Sequence, residues 1–439
     1  MQPYARRRAA LLRALAGGAA IIPGARQVAR SNDTDFPFRQ NSDFYYLTGF
    51  DEPDAVLLLL PEQAKHRVVL FVRELDRTQE LWNGKRLGTQ AAPILLGVDV
   101  AHPIGELEVR LSDYLVGATT VHYRFGESET FDRTVLGAVA EAGSKTRRSG
   151  RAPERYNDPG MLLHAMRAIK DPEELAIMRR AAQATQRGHL AAMRATRPGV
   201  HEYEIEAIME CEFALAGARS PAYESIVGSG DNATILHYIT NRDLLRDGQL
   251  LLVDAAAEID CYTTDVTRTW AVSGRFTAEQ RAIYEIVLAA QKAGIAQVRP
   301  GNPQRAFGNA CLRVIVEGLI EIGLLHGSAD ENIEAEKYRD FYMHGAGHWL
   351  GLDVHDVGRY RDDDDEPVLL QAGMVTTVEP GIYVHRDLAC DERFKGIGVR
   401  IEDDIVVTAD GNENLTQAIP KEIDEIEAVV GSAAHAISP

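Results

Sequence analysis

The chain has 439 residues, more than one ordinary core accommodates, so two domains are expected. A formal net charge of -18 argues against sequence-independent nucleic-acid binding, which needs a basic face for phosphates, while 45% hydrophobic residues suffice for buried cores. No segment reaches the ~18 unbroken apolar residues of a membrane span. The four cysteines (Cys211, Cys261, Cys311, Cys390) form no C-x-x-C pair, which argues against disulfide scaffolds and thiolate zinc sites and fits a reducing cytoplasm.

Arg6 to Ala25 begins with three arginines and continues apolar, but Arg13 and the Gly17-Gly18 pair interrupt the run. It therefore reads as a short amphipathic helix followed by a strand at Ala19–Ile22 rather than as a cleaved leader. Ala55–Leu60 and Val68–Val72 read as buried strands, Thr130–Ala142 as a helix, and Arg151–Gly160, with its proline and glycine, as a linker. Asp171-Pro172-Glu173-Glu174 then signals a strong helix start: a capping residue, proline in the first turn, and acids at the positive end of the helix.

From there the pattern repeats. A helix over Pro172–Ala195 ends at Arg197-Pro198-Gly199 and a second runs over Tyr203–Ala216; 102 residues later a helix over Thr277–Val298 ends at Arg299-Pro300-Gly301 and another covers Gln304–Ile322. Strand-like runs follow each pair. Two similar halves imply a pseudo-symmetric domain whose cleft lies where the two sheets meet. The last residues, Gly431–Pro439, read as a loose tail.

The chemistry-bearing residues cluster in this second part. Leu250–Val253 is a buried strand ending in Asp254, and Thr264–Val272 is a strand-like run containing Asp265. A hairpin centred on Ile259 and Asp260 would set the two aspartates directly opposite each other, about 4.5–5.5 Å apart, where they repel strongly unless a cation lies between them. His344–His355 reads HGAGHWLGLDVH. The i, i+4 histidines match a helical zinc motif, but Gly345 and Gly347 intervene and glutamate is missing at the second position, so a tight glycine loop is expected instead. Glu379 and Glu402 each follow a strand-like run, and Glu402 alone could simply pair with Arg400. Together Asp254, Asp265, His348, Glu379 and Glu402 form an oxygen-rich set with one imidazole and no thiolate, suited to Mn²⁺, Co²⁺ or Zn²⁺. Four carboxylates offset the charge of two divalent ions, and two ions about 3.5–4 Å apart would hold a bridging water as hydroxide, the nucleophile of a hydrolase. Glu379 could carry protons to the leaving amine, and nearby imidazoles could steady the oxyanion. The acid run Asp362–Glu366 lacks the glycine and spacing of a calcium loop and reads as solvated.

The order Asp, Asp, His, Glu, Glu resembles the pita-bread metallopeptidases. The stretches RQNSDFYYLTGFDEPDAV (Arg39–Val56), TTDVTRTW (Thr263–Trp270), MHGAGHWLGLDVHDVG (Met343–Gly358), TVEPGIY (Thr377–Tyr383) and VRIEDD (Val399–Asp404) resemble the bacterial aminopeptidase P branch. The resemblance implies an α+β fold, with an α/β amino-terminal domain over residues 1–165 and a pita-bread catalytic domain over residues 166–439. It implies a dinuclear centre, typically manganese, on the five ligands, with Asp265 and Glu402 bridging and Glu379 doubling as proton shuttle. His237, His344 and His355 would line the pocket, Arg400 and Tyr383 would approach the substrate, and Trp82 matches an aromatic that completes the pocket from a neighbouring subunit of a dimer or tetramer. The implied substrates are peptides with proline in second position. Prolidase, which takes only dipeptides, is the nearest alternative; a catalytically dead peptide-binding relative would be expected to lack some of the ligands.

Overall fold

The computed structural model describes residues 3–147 and 150–433; residues 434–439 of the expected tail lie outside the described residues. Contacts divide the chain into two units, Met1–Arg167 and Ala168–Pro439.

The first unit is built on a six-stranded mixed sheet. Its strand order is Val100–Pro103, Val68–Val72, Val56–Leu59, Ala19–Pro23, Thr120–His122 and Arg155–Asn157. The runs VLLL and VVLFV are buried along their whole length, as expected of strands covered on both faces. The helix over Glu129–Lys145 turns Val135, Ala138 and Ala142 into the same core. Arg8, in the helix Pro3–Ala14, is buried and donates to the carbonyls of Leu47 (2.8 Å), Leu96 (2.8 Å) and Gly97 (2.9 Å), so this arginine ties three segments together. The expected linker at Arg151–Gly160 is not one. Arg155–Asn157 pairs in parallel with Thr120–His122 as the sheet's exposed edge, and Gly160 opens the helix Gly160–Ala168. A three-residue, fully exposed edge strand carries no apolar signal, which is why the sequence pattern hid it.

The second unit contains the two helix pairs, Pro172–Ala195 with Glu202–Leu215 and Ala278–Ile295 with Arg305–Glu321. Asp171 and Glu174 close a reciprocal capping box with Pro172 at the first helical position, and Thr277 and Gln280 do the same for the third helix. Behind the first pair lies an antiparallel sheet of Ile226–Ser229, Leu250–Asp254 and Thr267–Ala271; behind the second lie Val375–Val378, Asp403–Val407 and Asn412–Asn414, and the hairpin Gly381–Val384 with Ile397–Arg400.

The register of the aspartate hairpin differs from expectation. Asp260 (φ 50°) and Cys261 (φ 63°) form the two left-handed positions of the turn, so Ile259 pairs with Tyr262 and Asp254 with Thr267. Asp265 therefore sits diagonally across from Asp254, two residues from direct opposition and still on the same face. Neither turn residue is glycine or asparagine, so the usual signal for this turn was absent.

The halves are joined through polar side chains. Thr269 Oγ1 donates to the carbonyl of Arg400 (3.0 Å) and accepts from its amide (3.2 Å), and the amide of Glu402 donates to the carbonyl of Thr267 (3.1 Å). Arg268 is fully buried, pairs with Asp403 at 2.6 Å, and also donates to the carbonyls of Glu402 and Ile419. Removing one member of a buried, hydrogen-bonded ion pair leaves the other uncompensated and costs about 3–5 kcal/mol. Arg268→Ala is expected to lower unfolding stability by about 3 kcal/mol, read as a shift in the urea midpoint of the second unit's transition, with the transition slope unchanged.

Candidate metal centre and active site

Four of the five expected ligands sit at or beside an element's end. Asp254 closes the strand Leu250–Asp254, Glu379 follows Val375–Val378, and Asp265 and Glu402 occupy the breaks before Thr267–Ala271 and Asp403–Val407. His348 comes from an irregular loop, as the glycines suggested, and not from a helix. That loop is fastened to Val375–Val378: the amide of His348 donates to Thr377 Oγ1 (3.1 Å), and the amide of Thr377 donates to the carbonyl of His348 (2.9 Å). Gly347 makes the approach possible, because a Cβ there would lie 2.1 Å from the carbonyl oxygen of Thr377.

All five converge on one cavity of ≈ 440 Å³, which His237, His344, His355 and Arg400 also line. Donor atoms of Asp265, His348 and Glu402 lie within 4.8 Å of one another, an arrangement able to hold a metal ion. His348 Nε2 stands 3.3 Å from Asp265 and 3.7 Å from Glu379, while its Nδ1 lies 3.0 Å from the carbonyl of Trp349. A donor bond from Nδ1 to that carbonyl leaves Nε2 facing the carboxylates, and loss of its proton would give the tautomer a metal ligand needs. Tyr383 lies behind the cavity wall, where its hydroxyl meets Arg400 (3.0 Å) and His344 Nε2 (2.9 Å). Trp82 belongs to the other unit, on the exposed helix Arg77–Asn83, and is 82% exposed.

Arg400 is more fully committed than expected of a substrate-binding group. Its guanidinium donates to Thr267 Oγ1 (2.9 Å), Tyr383 (3.0 Å) and Asp254 (2.6 Å). It positions Asp254 and Tyr383 and supplies a buried guanidinium among the cavity-lining carboxylates. Tyr223, which no sequence pattern singled out, has its hydroxyl within reach of both aspartates, 2.5 Å from Asp254 and 2.6 Å from Asp265. Thr267 likewise donates to Glu402 at 2.7 Å. Tyr223 lies 31 residues ahead of Asp254, brought near by the pairing of Ser220–Pro221 with Ala257–Glu258. Only that pairing could have revealed it.

The electrostatics show what the site lacks without a cation. Burial pushes the Glu379 carboxyl up to about 7, with Asp265 adding to the rise and His348 opposing it. Burial and the charge of Asp265 carry Glu402 well above the carboxylate range, and burial raises Asp254 against the pull of Arg400. Burial alone would lower His348, but the hydrogen bond and charge of Asp265 prevail and hold it up at about 9. Burial, reinforced by Arg400, depresses His344 to about 4, so it is neutral near pH 7. These carboxyls would lose their protons to solvent on binding a divalent ion, and the donor set of carboxylates with one imidazole fits a hard or borderline one.

Residues 176–409 match the family model described as metallopeptidase family M24, and residues 4–122 match that of the aminopeptidase P amino-terminal domain. The chain belongs to the M24 metallopeptidases. It is 45% identical to an Xaa-Pro aminopeptidase of Escherichia coli across 98% of both chains, and 36% identical to Xaa-Pro aminopeptidase 3 of Homo sapiens over 92% of this chain and 79% of that one. Among solved structures it is similar to the Pseudomonas aeruginosa aminopeptidase PepP (TM-score 0.96, 46% identity, 98% of each chain) and to proline aminopeptidase P II of Yersinia pestis (TM-score 0.94, 45% identity, 99% of each chain). The α+β architecture with an amino-terminal domain ahead of an M24 catalytic domain is thereby shown. Among the described residues, no helix is long and apolar enough to cross a membrane.

For this M24 chain, metal binding and proton release are linked. A carboxyl whose folded pKa is raised favours the folded state below its unfolded value, near 4.5 for Glu379, and that contribution is lost as pH rises through about 7. A divalent ion reverses the loss because it binds the deprotonated form. The rise in Tm on adding Mn²⁺ to metal-free protein is expected to grow between about pH 5 and about pH 8, and calorimetric titrations in buffers of different ionisation enthalpy should report net proton release. A metal-induced Tm gain that shrinks with pH would contradict the assignment.

Proposed function

We propose that the chain is a metal-dependent exopeptidase that releases the first residue from peptides with proline in second position. The observation that carries this reading is the convergence of Asp254, Asp265, His348, Glu379 and Glu402 on one cavity, in a chain similar over 98% of its length to an Xaa-Pro aminopeptidase. The prolidase alternative is not favoured, since the relatives matched along nearly their whole length carry the aminopeptidase name.

The five residues would hold two divalent ions, for which we propose manganese. The bound ions supply an acidified water and the charge that polarises the scissile carbonyl. Glu379, which lines the cavity beside His344 and His348, would accept a proton and hand it to the departing proline nitrogen. His344, kept neutral by burial and fixed by Tyr383, offers a hydrogen bond at the carbonyl side, and His237 and His355 line the remaining wall. Arg400 acts through Asp254 and Tyr383. An X-Pro bond has no N–H and a fixed ring, so a site for it needs no acceptor opposite that nitrogen. We assign residues 166–439 as the catalytic domain and residues 1–165 as an oligomerisation domain, place the protein in the cytoplasm as a homo-oligomer, and assign Trp82, outward-facing on its helix, to the pocket of a neighbouring subunit.

Purified protein with Mn²⁺ is expected to cleave an Xaa-Pro-Yaa tripeptide after its first residue and to lose that activity in chelator. Cleavage confined to Xaa-Pro dipeptides would indicate the prolidase reading. Glu379→Ala should reduce kcat by at least about a hundredfold, the usual scale of general acid–base catalysis, while circular dichroism stays near wild type. Retention of most of the turnover would remove Glu379 from the mechanism.

A further inference from the structure

Beside the main cavity lies a second chamber of ≈ 330 Å³ that shares His237, Asp254, Asp265 and His355 with it. Its own walls are Tyr223, Ile226, Ile239, Val354 and Glu224. Glu379, His344 and Tyr360 line the main cavity and not this one. If Glu379 delivers the proton to the leaving proline nitrogen, the proline and the residues after it occupy the main cavity. The first residue, on the other side of the scissile carbonyl, then extends into the second chamber. This placement rests on the function proposed above.

The chamber's chemistry is uneven. Ile226, Ile239 and Val354 form an apolar wall, and Ile239 is 50% exposed, an apolar surface left open for an occupant. Glu224 is exposed at this wall, and its carboxylate has no ion-pair or hydrogen-bond partner among the described residues. By contrast, Asp254 and Asp265 are already engaged with Arg400, Tyr223 and His348. An apolar wall leading to a free carboxylate fits an aliphatic stem that ends in a cation. We infer that Glu224 is a specificity-determining residue that favours peptides whose first residue is lysine or arginine over those with an uncharged side chain of equal length.

Because Glu224 is exposed, the preference is modest and sensitive to salt. The test compares kcat/KM for Lys-Pro-Yaa, norleucine-Pro-Yaa and Glu-Pro-Yaa tripeptides with the Mn²⁺-loaded enzyme. Lysine should be favoured over norleucine by about fivefold at low ionic strength, and the ratio should approach one at about 0.5 M salt. Glu224→Gln should abolish the preference, Glu224→Asp should retain part of it, and Glu224→Lys should turn it toward the glutamate-first peptide. A lysine-to-norleucine ratio that stays unchanged in Glu224→Gln and Glu224→Lys overturns the inference. Failure of the wild-type enzyme to cleave any of the three peptides overturns instead the function on which it rests.

Discussion

Four carboxylates, Asp254, Asp265, Glu379 and Glu402, face one cavity with a single buried guanidinium among them. Like charges this close cannot all ionise in a buried site without a cation. The fold nonetheless holds them there, and in the absence of a cation the cost appears as raised carboxyl pKa values and as a histidine drawn upward by its acidic neighbour. Divalent cations remove that conflict, and the rest of the site serves the need to aim these groups inward.

The fold solves the aiming problem twice, once in each half. Each half contributes one carboxylate at the end of a strand, Asp254 or Glu379, and one from the break before the next strand, Asp265 or Glu402. Strand ends suit this task because the backbone is anchored on one side and free to turn on the other. Between the halves, threonines do the fastening. Thr267 donates to Glu402 and accepts from Arg400, and Thr269 exchanges two hydrogen bonds with Arg400, while within the second half Thr377 holds the loop that delivers His348. These β-branched residues fit strands and present a hydroxyl at fixed rotamers, so they brace the ligands without adding charge.

Much of this was legible in the sequence because it rests on short-range patterns. The helix pairs were marked by Asp171-Pro172 and by the two Arg-Pro-Gly turns, and the ligands stood at the ends of apolar runs. The features that stayed hidden depend on pairing between distant segments. The edge strand Arg155–Asn157 has no apolar residue facing a core, so only its parallel partner defines it. The two-residue slip in the aspartate hairpin arose because Asp260 and Cys261 adopt left-handed backbone without the glycine that normally announces it. Tyr223 reaches both aspartates through a strand pairing that no local pattern encodes. Arg400 lines the cavity, but its three hydrogen-bonded partners cannot be counted from a sequence, so its supporting role emerges only in three dimensions.

The run Glu402-Asp403-Asp404 shows how far composition falls short of function. Three successive acids alternate sides along an extended segment. Glu402 faces the cavity, and Asp404 accepts from the amide of Asp265 at 3.2 Å, holding that ligand's backbone. Asp403 points the other way and accepts from Arg268 (2.6 Å), Gln291 (2.7 Å) and Thr416 (2.8 Å), with Lys421 also in contact. Burial would raise Asp403, but Arg268 and Lys421 outweigh it and keep it ionised, whereas burial and the nearby charge of Asp265 push Asp404 upward. Glu402 and Asp404 thus face the cavity side, one lining it and one bracing Asp265, while Asp403 on the opposite side locks the halves together. A shift of one residue in that strand would exchange the ion-paired carboxylate for the cavity-facing one and dismantle the site, so the fully buried Arg268–Asp403 pair fixes the register on which the metal centre depends.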